Sequence, residues 1–255
     1  MEIADSTIYL LALCFVVVAF LYSSVGLGGA SSYTALMALF GISTLVIPTV
    51  SLTLNLFVTT AGSINFIRSG HARIRLITPF LVTSIPCAYL GGSLQLPKTV
   101  FLWVLLLSLI FVLLRIYVWQ STSLKIPLNH KAQLAIASLS GAILGLVAGI
   151  VGIGGGIYLV PLILILGLGS EKEAAACGAI FVWMNSLSGL ISRWQHNPVD
   201  LLPYIPLIIA VLVGGLVGSF FGSSRFSPKL MEKILGLIIL IAAIFLLKRL
   251  AVPGL

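Results

Sequence analysis

The amino-acid sequence predicts an all-α polytopic membrane protein built from two homologous repeats, and three observations carry that expectation. Of 255 residues, 60% are hydrophobic and only 8% are charged, and the mean hydropathy is +1.21. No water-soluble domain of that size tolerates such a surface. The apolar residues fall into long runs, most of them near the ~20 residues that an α-helix needs to cross ~30 Å of hydrocarbon. A glycine-rich break occurs twice, as Val25-Gly26-Leu27-Gly28-Gly29 and as Val151-Gly152-Ile153-Gly154-Gly155-Gly156, each inside an apolar run. Backbone in a bilayer must satisfy its own hydrogen bonds, so such breaks are tolerated only where protein or a polar cavity surrounds them. Matched breaks in two halves are a sequence pointer to a transport site. A transmembrane β-barrel is excluded, because its strands would alternate polar and apolar residues over segments of about ten.

The runs cover residues 8–40, 47–67, 76–95, 99–119, 133–168, 174–194, 201–222 and 233–250. A shift of 126 residues lays the first break on the second, and a one-residue slip then aligns Gly62 with Gly189, Pro79 with Pro206 and Gly91 with Gly218. Residues 1–255 therefore read as a single transmembrane domain, with repeat one at 7–119, a linker at 120–131 and repeat two at 132–251. In the linker, Ser121, Thr122, Ser123, Lys125, Pro127, Asn129 and His130 interrupt the apolar pattern.

Each repeat opens with a run of roughly 33 to 36 residues, about 50 Å of helix at ~1.5 Å per residue, too long for one crossing and short for two. A helix, a glycine turn and a half-length helix fit that length. If this broken pair re-enters and leaves on one side, each half has three full crossings and the repeats are inverted. If it crosses, each half has four and the repeats are parallel. Inversion places Arg68, Arg73, Arg75, Arg115, Lys125, Lys131, Lys172, Arg225, Lys229 and Lys233 on one face, a split of 10 to 4, against 9 to 5 for the parallel arrangement. The excess of Lys and Arg in cytoplasmic loops favours inversion. The same clustering at run ends makes the net charge of +8 a topology signal, and no basic helix or RNA-binding motif points to nucleic acid.

All six acidic residues, Glu2, Asp5, Glu171, Glu173, Asp200 and Glu232, lie at run ends or in loops. Proton pumps and many cation-coupled carriers place carboxylates within the membrane, whereas an anion site avoids them. An anion is instead held by the unpaired N–H groups of helix N-termini and by the helix dipole. The breaks supply two such ends, starting near Ser31-Ser32 and near Ile157-Tyr158, with Gly28, Gly29, Gly154, Gly155 and Gly156 allowing close backbone approach. The competing reading is tight helix crossing, which Gly141-x-x-x-Gly145-x-x-x-Gly149 also suits. The following helices carry one polar stripe each: Asn55, Thr59, Gly62 and Ser63, then Asn185, Ser188, Gly189 and Ser192. Their amides and hydroxyls either donate to an oxyanion or join helices together.

Arg68 and Arg193 are candidate anion contacts through bidentate geometry, or anchors flanking a span. His71, His130 and His196 read as loop residues without metal-ligand grouping, and Cys14, Cys87 and Cys177 are isolated. No metal site, cofactor or catalytic set is expected. Trp103, Trp119, Trp183 and Trp194 read as interfacial anchors or packing, with Trp183 two residues from Asn185. Cys87-x-x-x-Gly91 and Gly214-x-x-x-Gly218 serve either packing within the protomer or a homodimer seam. The N-terminal segment lacks a basic leader and belongs to the first repeat, so no removable signal peptide is expected.

The repeated break, with Gly26, Gly28 and Gly29 matched by Gly152, Gly154, Gly155 and Gly156 and followed by Pro161, resembles the sulfite exporter TauE/SafE family, also called the 4-toluene sulfonate uptake permease family. The first repeat departs from that pattern: Ala30 and Ser31 stand where the second has Gly156 and Ile157, and Ala35 replaces Pro161. The resemblance spans nearly the whole chain. It implies a secondary transporter of sulfite, organosulfonates or related sulfur oxyanions in the bacterial inner membrane, working by alternating access. A phosphate-binding loop of the Gly-x-x-x-x-Gly-Lys type is absent, which leaves an ion or substrate gradient or a separate subunit as the energy source. The alternatives are a passive anion channel and, from another class, an intramembrane enzyme or assembly partner. The last is disfavoured by the lack of a Ser/His/Asp set, a His-Glu-x-x-His motif or a Cys-x-x-Cys pair within the spans.

Overall fold

A computed structural model describes residues 5–24, 29–118, 129–225 and 228–251. Residues 25–28 of the first break, Gly28 among them, and residues 120–128 of the expected linker lie outside the described residues. Within them the chain is helical: α1 (Asp5–Ser24), α2 (Ala30–Leu39), α3 (Ile47–Arg68), α4 (Ile74–Ser93), α5 (Lys98–Tyr117), α6 (His130–Val151), α7 (Gly156–Ile165), α8 (Glu171–His196), α9 (Ile205–Arg225) and α10 (Pro228–Ala251). Five of these, α4, α5, α6, α8 and α10, are long and apolar enough to cross a membrane. Outward-facing Val82, Leu107, Leu139 and Phe245 give the bundle the apolar exterior that lipid requires.

Local chemistry sets the helix ends. Ser170 and Glu173 form a capping box at the start of α8, and the Asn129 side chain accepts from Ala132 N at the start of α6. The ten-residue helices α2 and α7 terminate alike. Gly41 N donates to Ala38 O and Ile42 N to Met37 O, while Gly167 N donates to Leu164 O and Leu168 N to Ile163 O. Both are glycine-closed Schellman ends, with Gly41 at φ 76 and Gly167 at φ 63.

Close backbone approach organises the packing. In α6, Gly141, Gly145 and Gly149 face the backbone of Phe80, Ser84 and Ala88 in α4, and in α9, Gly214 and Gly218 face Val16 and Phe20 in α1. The residue numbers rise together in both pairs, so each pair runs parallel. The stripes left open between packing and a dimer seam pack within the chain, Gly91 against Leu146 O included. In contrast α3 and α8 run in opposite directions, because Leu52 meets Gly189 while Thr60 accepts from Trp183 Nε1 at 3.0 Å. The pair α5 and α10 is also antiparallel: the Tyr117 hydroxyl donates to Lys233 O at one end, and Lys98 and Arg249 share a cleft at the other.

The short helices fold back on the long ones before them. A Cβ on Gly155, at the entry to α7, would lie 3.5 Å from Leu144 O in α6, seven residues before the end of that helix. Likewise the Phe15 ring of α1 stacks on Tyr33 of α2 at 4.8 Å between centroids. Each broken pair is thus a helical hairpin rather than one continuous rod. Gly145→Ala should lower stability by about 1–3 kcal/mol, because its methyl group has only the Ser84 backbone to displace. Thermal unfolding in detergent checks this against Gly215→Ala, whose methyl group would meet only Ser23 Oγ at 3.3 Å; equal melting temperatures would refute the close approach.

Candidate functional site

The second break is the best-defined polar feature inside the bundle. Gly152, Gly154 and Gly155 have φ of 84, 76 and 78, a left-handed region that costs an L-residue roughly 1–2 kcal/mol. Three such residues within four reverse the chain, and residues 151–156 are all buried. A Cβ on Gly154 would lie 2.7 Å from Val182 Cγ1 and 2.9 Å from Asn55 Nδ2, so both flanking helices press on the turn.

The carbonyls exposed by this reversal find donors. Gly152 N donates to Ala148 O, Arg193 Nη2 donates to Gly149 O and Ile150 O at 3.1 and 3.0 Å, and Ser51 Oγ donates to Gly152 O at 2.8 Å. Asn55 Nδ2 reaches Gly152 O at 3.3 Å, the longer and weaker contact. The amides are treated differently. The first bonds of α7 run from Tyr158 N and Leu159 N to Gly155 O, and the amides of Gly156 and Ile157 have no acceptor among the described residues. The turn is therefore capped on its acceptor side and open on its donor side.

Helices α3 and α8 form its walls. Asn55, Asn185 and Ser186 are fully buried, and Asn55 Oδ1, Asn185 Oδ1 and Ser186 Oγ have no hydrogen-bond partner. Asn185 Nδ2 donates to Phe181 O of its own helix at 2.9 Å, which leaves one of its two N–H groups over. Arg193, 3% exposed, lies on the same face of α8 as Val182, Ser186 and Gly189, and its Nε is also unpartnered. Among the described residues the single ion pair joins Arg73 to Glu173 at 3.6 Å, at the far end of α8. The Arg193 charge is met, among the described residues, by the Gly149 and Ile150 carbonyls.

The first break offers a smaller described part. Gly29 is buried at φ 74, and the Tyr22 hydroxyl bonds Ser31 and Ser32 at 2.8 and 3.1 Å. Thr34 joins it to the second break: its Oγ1 lies 3.0 Å from Ser51 Oγ and donates to Ala30 O at 2.7 Å. Two hydroxyl hydrogens serve three contacts along Ala30–Thr34–Ser51–Gly152, so one of them is always unfilled.

Of the residues singled out from sequence, the structure brings Asn55 and Gly154 together and sets Gly155, Gly156 and Arg193 around them. Thr59 donates to Asn55 O within its own helix, and Ser188 donates to Ile85 O of α4. Arg68 is exposed in the last turn of α3, away from both breaks. Sequence reasoning missed Ser51, Thr34, Tyr22 and Ser186. Ser51 carried a usable signal, since it stands four residues before Asn55 on the same stripe, and so did Ser186, three residues before Gly189 and seven before Arg193.

Comparison with known proteins adds a family to this geometry. The family described as sulfite exporter TauE/SafE matches residues 11–250. The chain is 36% identical to a probable membrane transporter protein, y4hK, of Sinorhizobium fredii, over 93% of this chain and 97% of the relative. It is 24% identical to the probable membrane transporter protein YjnA of Bacillus subtilis, over 87% of this chain and 92% of that one. No solved structure matches the chain.

Arg193→Leu should destabilise the folded protein by about 1–3 kcal/mol, since the Gly149 and Ile150 carbonyls lose their donor in a buried place. Arg68→Leu, at an exposed position, should leave the thermal unfolding midpoint in detergent within about 0.5 kcal/mol of the parent. Reversal of that order would remove Arg193 from the end of α6.

Proposed function

The chain belongs to the sulfite exporter TauE/SafE family, and from that premise we propose that it is a secondary transporter of small sulfur oxyanions, such as sulfite or organosulfonates. At the coarser level it is a multi-pass membrane transporter and not an enzyme. The observation that carries the finer reading is the donor-rich turn at Gly152–Gly156. Open amides at Gly156 and Ile157, the spare N–H groups of Asn55 and Asn185 and the Ser186 hydroxyl all offer hydrogens, and no carboxylate opposes them among the described buried residues. An oxyanion replaces the water it loses with such donors, and the N-terminal end of α7 adds about half a positive charge. Asn55, Thr59, Gly154, Gly155, Gly156, Asn185 and Ser188 then belong to one half of the site or its walls, with Gly29, Ser31 and Ser32 of the first break completing it.

Alternating access follows from two inverted repeats rocking about the α3/α8 crossing. Exchanging α1–α5 with α6–α10 maps the α1/α9 contact onto α6/α4, and it maps the antiparallel pairs α3/α8 and α5/α10 onto themselves. Equivalent helices that run in opposite directions support inversion rather than parallel duplication. The same directions place Lys98, Arg193, Lys248 and Arg249 at one end and the other described cations at the opposite end, which the positive-inside rule makes cytoplasmic.

Reconstituted into liposomes, the protein should carry sulfite or a sulfonate in a saturable, counterflow-competent manner. No flux of any oxyanion in a panel, with folded protein verified, would overturn the reading. Asn55→Ala and Asn185→Ala should each weaken oxyanion binding about tenfold, roughly 1.4 kcal/mol, without loss of folding. Unchanged affinity on titration would take these side chains out of the site.

A further inference from the structure

A second cationic feature lies away from the breaks, at the end of the bundle poor in Lys and Arg. A cleft of about 170 Å³ is bounded by Ala38 at the end of α2, by Gly41, Ser43 and Thr44 of the loop that follows, by Lys98 at the start of α5 and by Arg249 at the end of α10. Ile42 and Leu102, each 4% exposed, supply an apolar floor. Arg249 Nη1 donates to Ala38 O at 2.9 Å, and no carboxylate among the described residues lines the cleft. The Ser43 carbonyl accepts from Val46 and Ile47, so the start of α3 also turns its amides toward this end.

Lys98 and Arg249 are not explained by topology. Cations that set orientation gather on the cytoplasmic side, and these two lie on the other. Two positive groups facing one cleft without a counterion repel each other, and that repulsion is relieved by an anion between them. We propose that the cleft is a surface site for an oxyanion that carries an organic group: a sulfonate or phosphate head held by Lys98, Arg249 and the Ser43 and Thr44 hydroxyls, its apolar part on Ile42 and Leu102. The guanidinium offers a planar fork and the ammonium a point charge, a combination suited to a three-oxygen head. Because Arg249 is tied to the last turn of α2, occupancy couples α10 to the mouth of the first hairpin.

The full chain in nanodiscs of neutral lipid, followed by hydrogen exchange of the 38–46 segment, tests this. One arm titrates methanesulfonate against chloride at matched ionic strength; the other replaces part of the neutral lipid with phosphatidylglycerol. Protection of 38–46 should rise in at least one arm, and the arm that responds identifies a dissolved anion or a lipid headgroup as the source. Lys98→Gln should shift the midpoint at least tenfold, Lys98→Gln with Arg249→Gln should abolish the effect, and Asn55→Ala should preserve it. No protection in either arm overturns the proposal. So does protection that survives loss of both cations, or that disappears in Asn55→Ala, which would trace it to the transport site instead. Should the double variant fail to fold, Lys98→Gln alone, altered at an exposed side chain, decides the matter.

Discussion

The structure depends on one constraint: a helix interrupted inside a membrane must find partners for every backbone group that the interruption releases. At Gly152–Gly155 that demand is met unequally. Donors from two elements converge on the released carbonyls, Arg193 of α8 on Gly149 and Ile150, Ser51 and Asn55 of α3 on Gly152. The amides that open α7 receive no matching acceptor among the described residues. Every helix start releases such amides, and on the proposed reading those of α7 are where an acceptor from solution binds.

The rest of the bundle makes that turn rigid. Glycines at 141, 145 and 149 let α6 lie against the α4 backbone, and glycines at 214 and 218 do the same for α9 on α1. Dispersion and close contact substitute for a hydrophobic driving force that lipid cannot supply between helices. Against this frame, α3 and α8 cross with their polar residues inward. The Thr34–Ser51–Gly152 chain of hydroxyls then passes between the two hairpins through α3. With one hydrogen too few for its three contacts, that chain always leaves one contact unfilled while its oxygens tie α2 to the second turn.

Much of the backbone was legible in the sequence because its causes are local. Left-handed turns demand glycine, so the spacing of Gly152, Gly154 and Gly155 announces a reversal, and a run too long for one crossing announces a hairpin. Polar spacing likewise shows that Asn55 faces inward. Which neighbour a side chain meets is another matter. Ser188 shares the stripe of Asn185 yet donates to Ile85 O, 103 residues away, and Arg193 looks like an interfacial anchor until α6 ends beside it. These contacts follow from how α4 and α6 pack on α8, and periodicity within one helix carries no information about that. The unpaired state of Gly156 and Ile157 was legible only in outline, because it depends on what α3 and α8 fail to supply.

Arg193 shows how charge and backbone combine toward selectivity. A guanidinium remains charged in a buried place, and stranding it costs several kcal/mol unless partners surround it. The C-terminal end of α6 offers about half a negative charge, while the N-terminal end of α7, one turn of chain away, offers about half a positive one. The two ends nearly cancel, and among the described residues the Arg193 charge is countered by the Gly149 and Ile150 carbonyls and by no carboxylate. A cation brought there meets repulsion from Arg193, while the unpartnered Asn55 Oδ1 and Asn185 Oδ1 face inward as acceptors that the spare N–H groups of the same amides must outweigh. A neutral solute leaves the excess where it was. On the proposed reading an oxyanion meets the open amides and the Arg193 charge in one step, so the electrostatics and the backbone donors argue for the same guest.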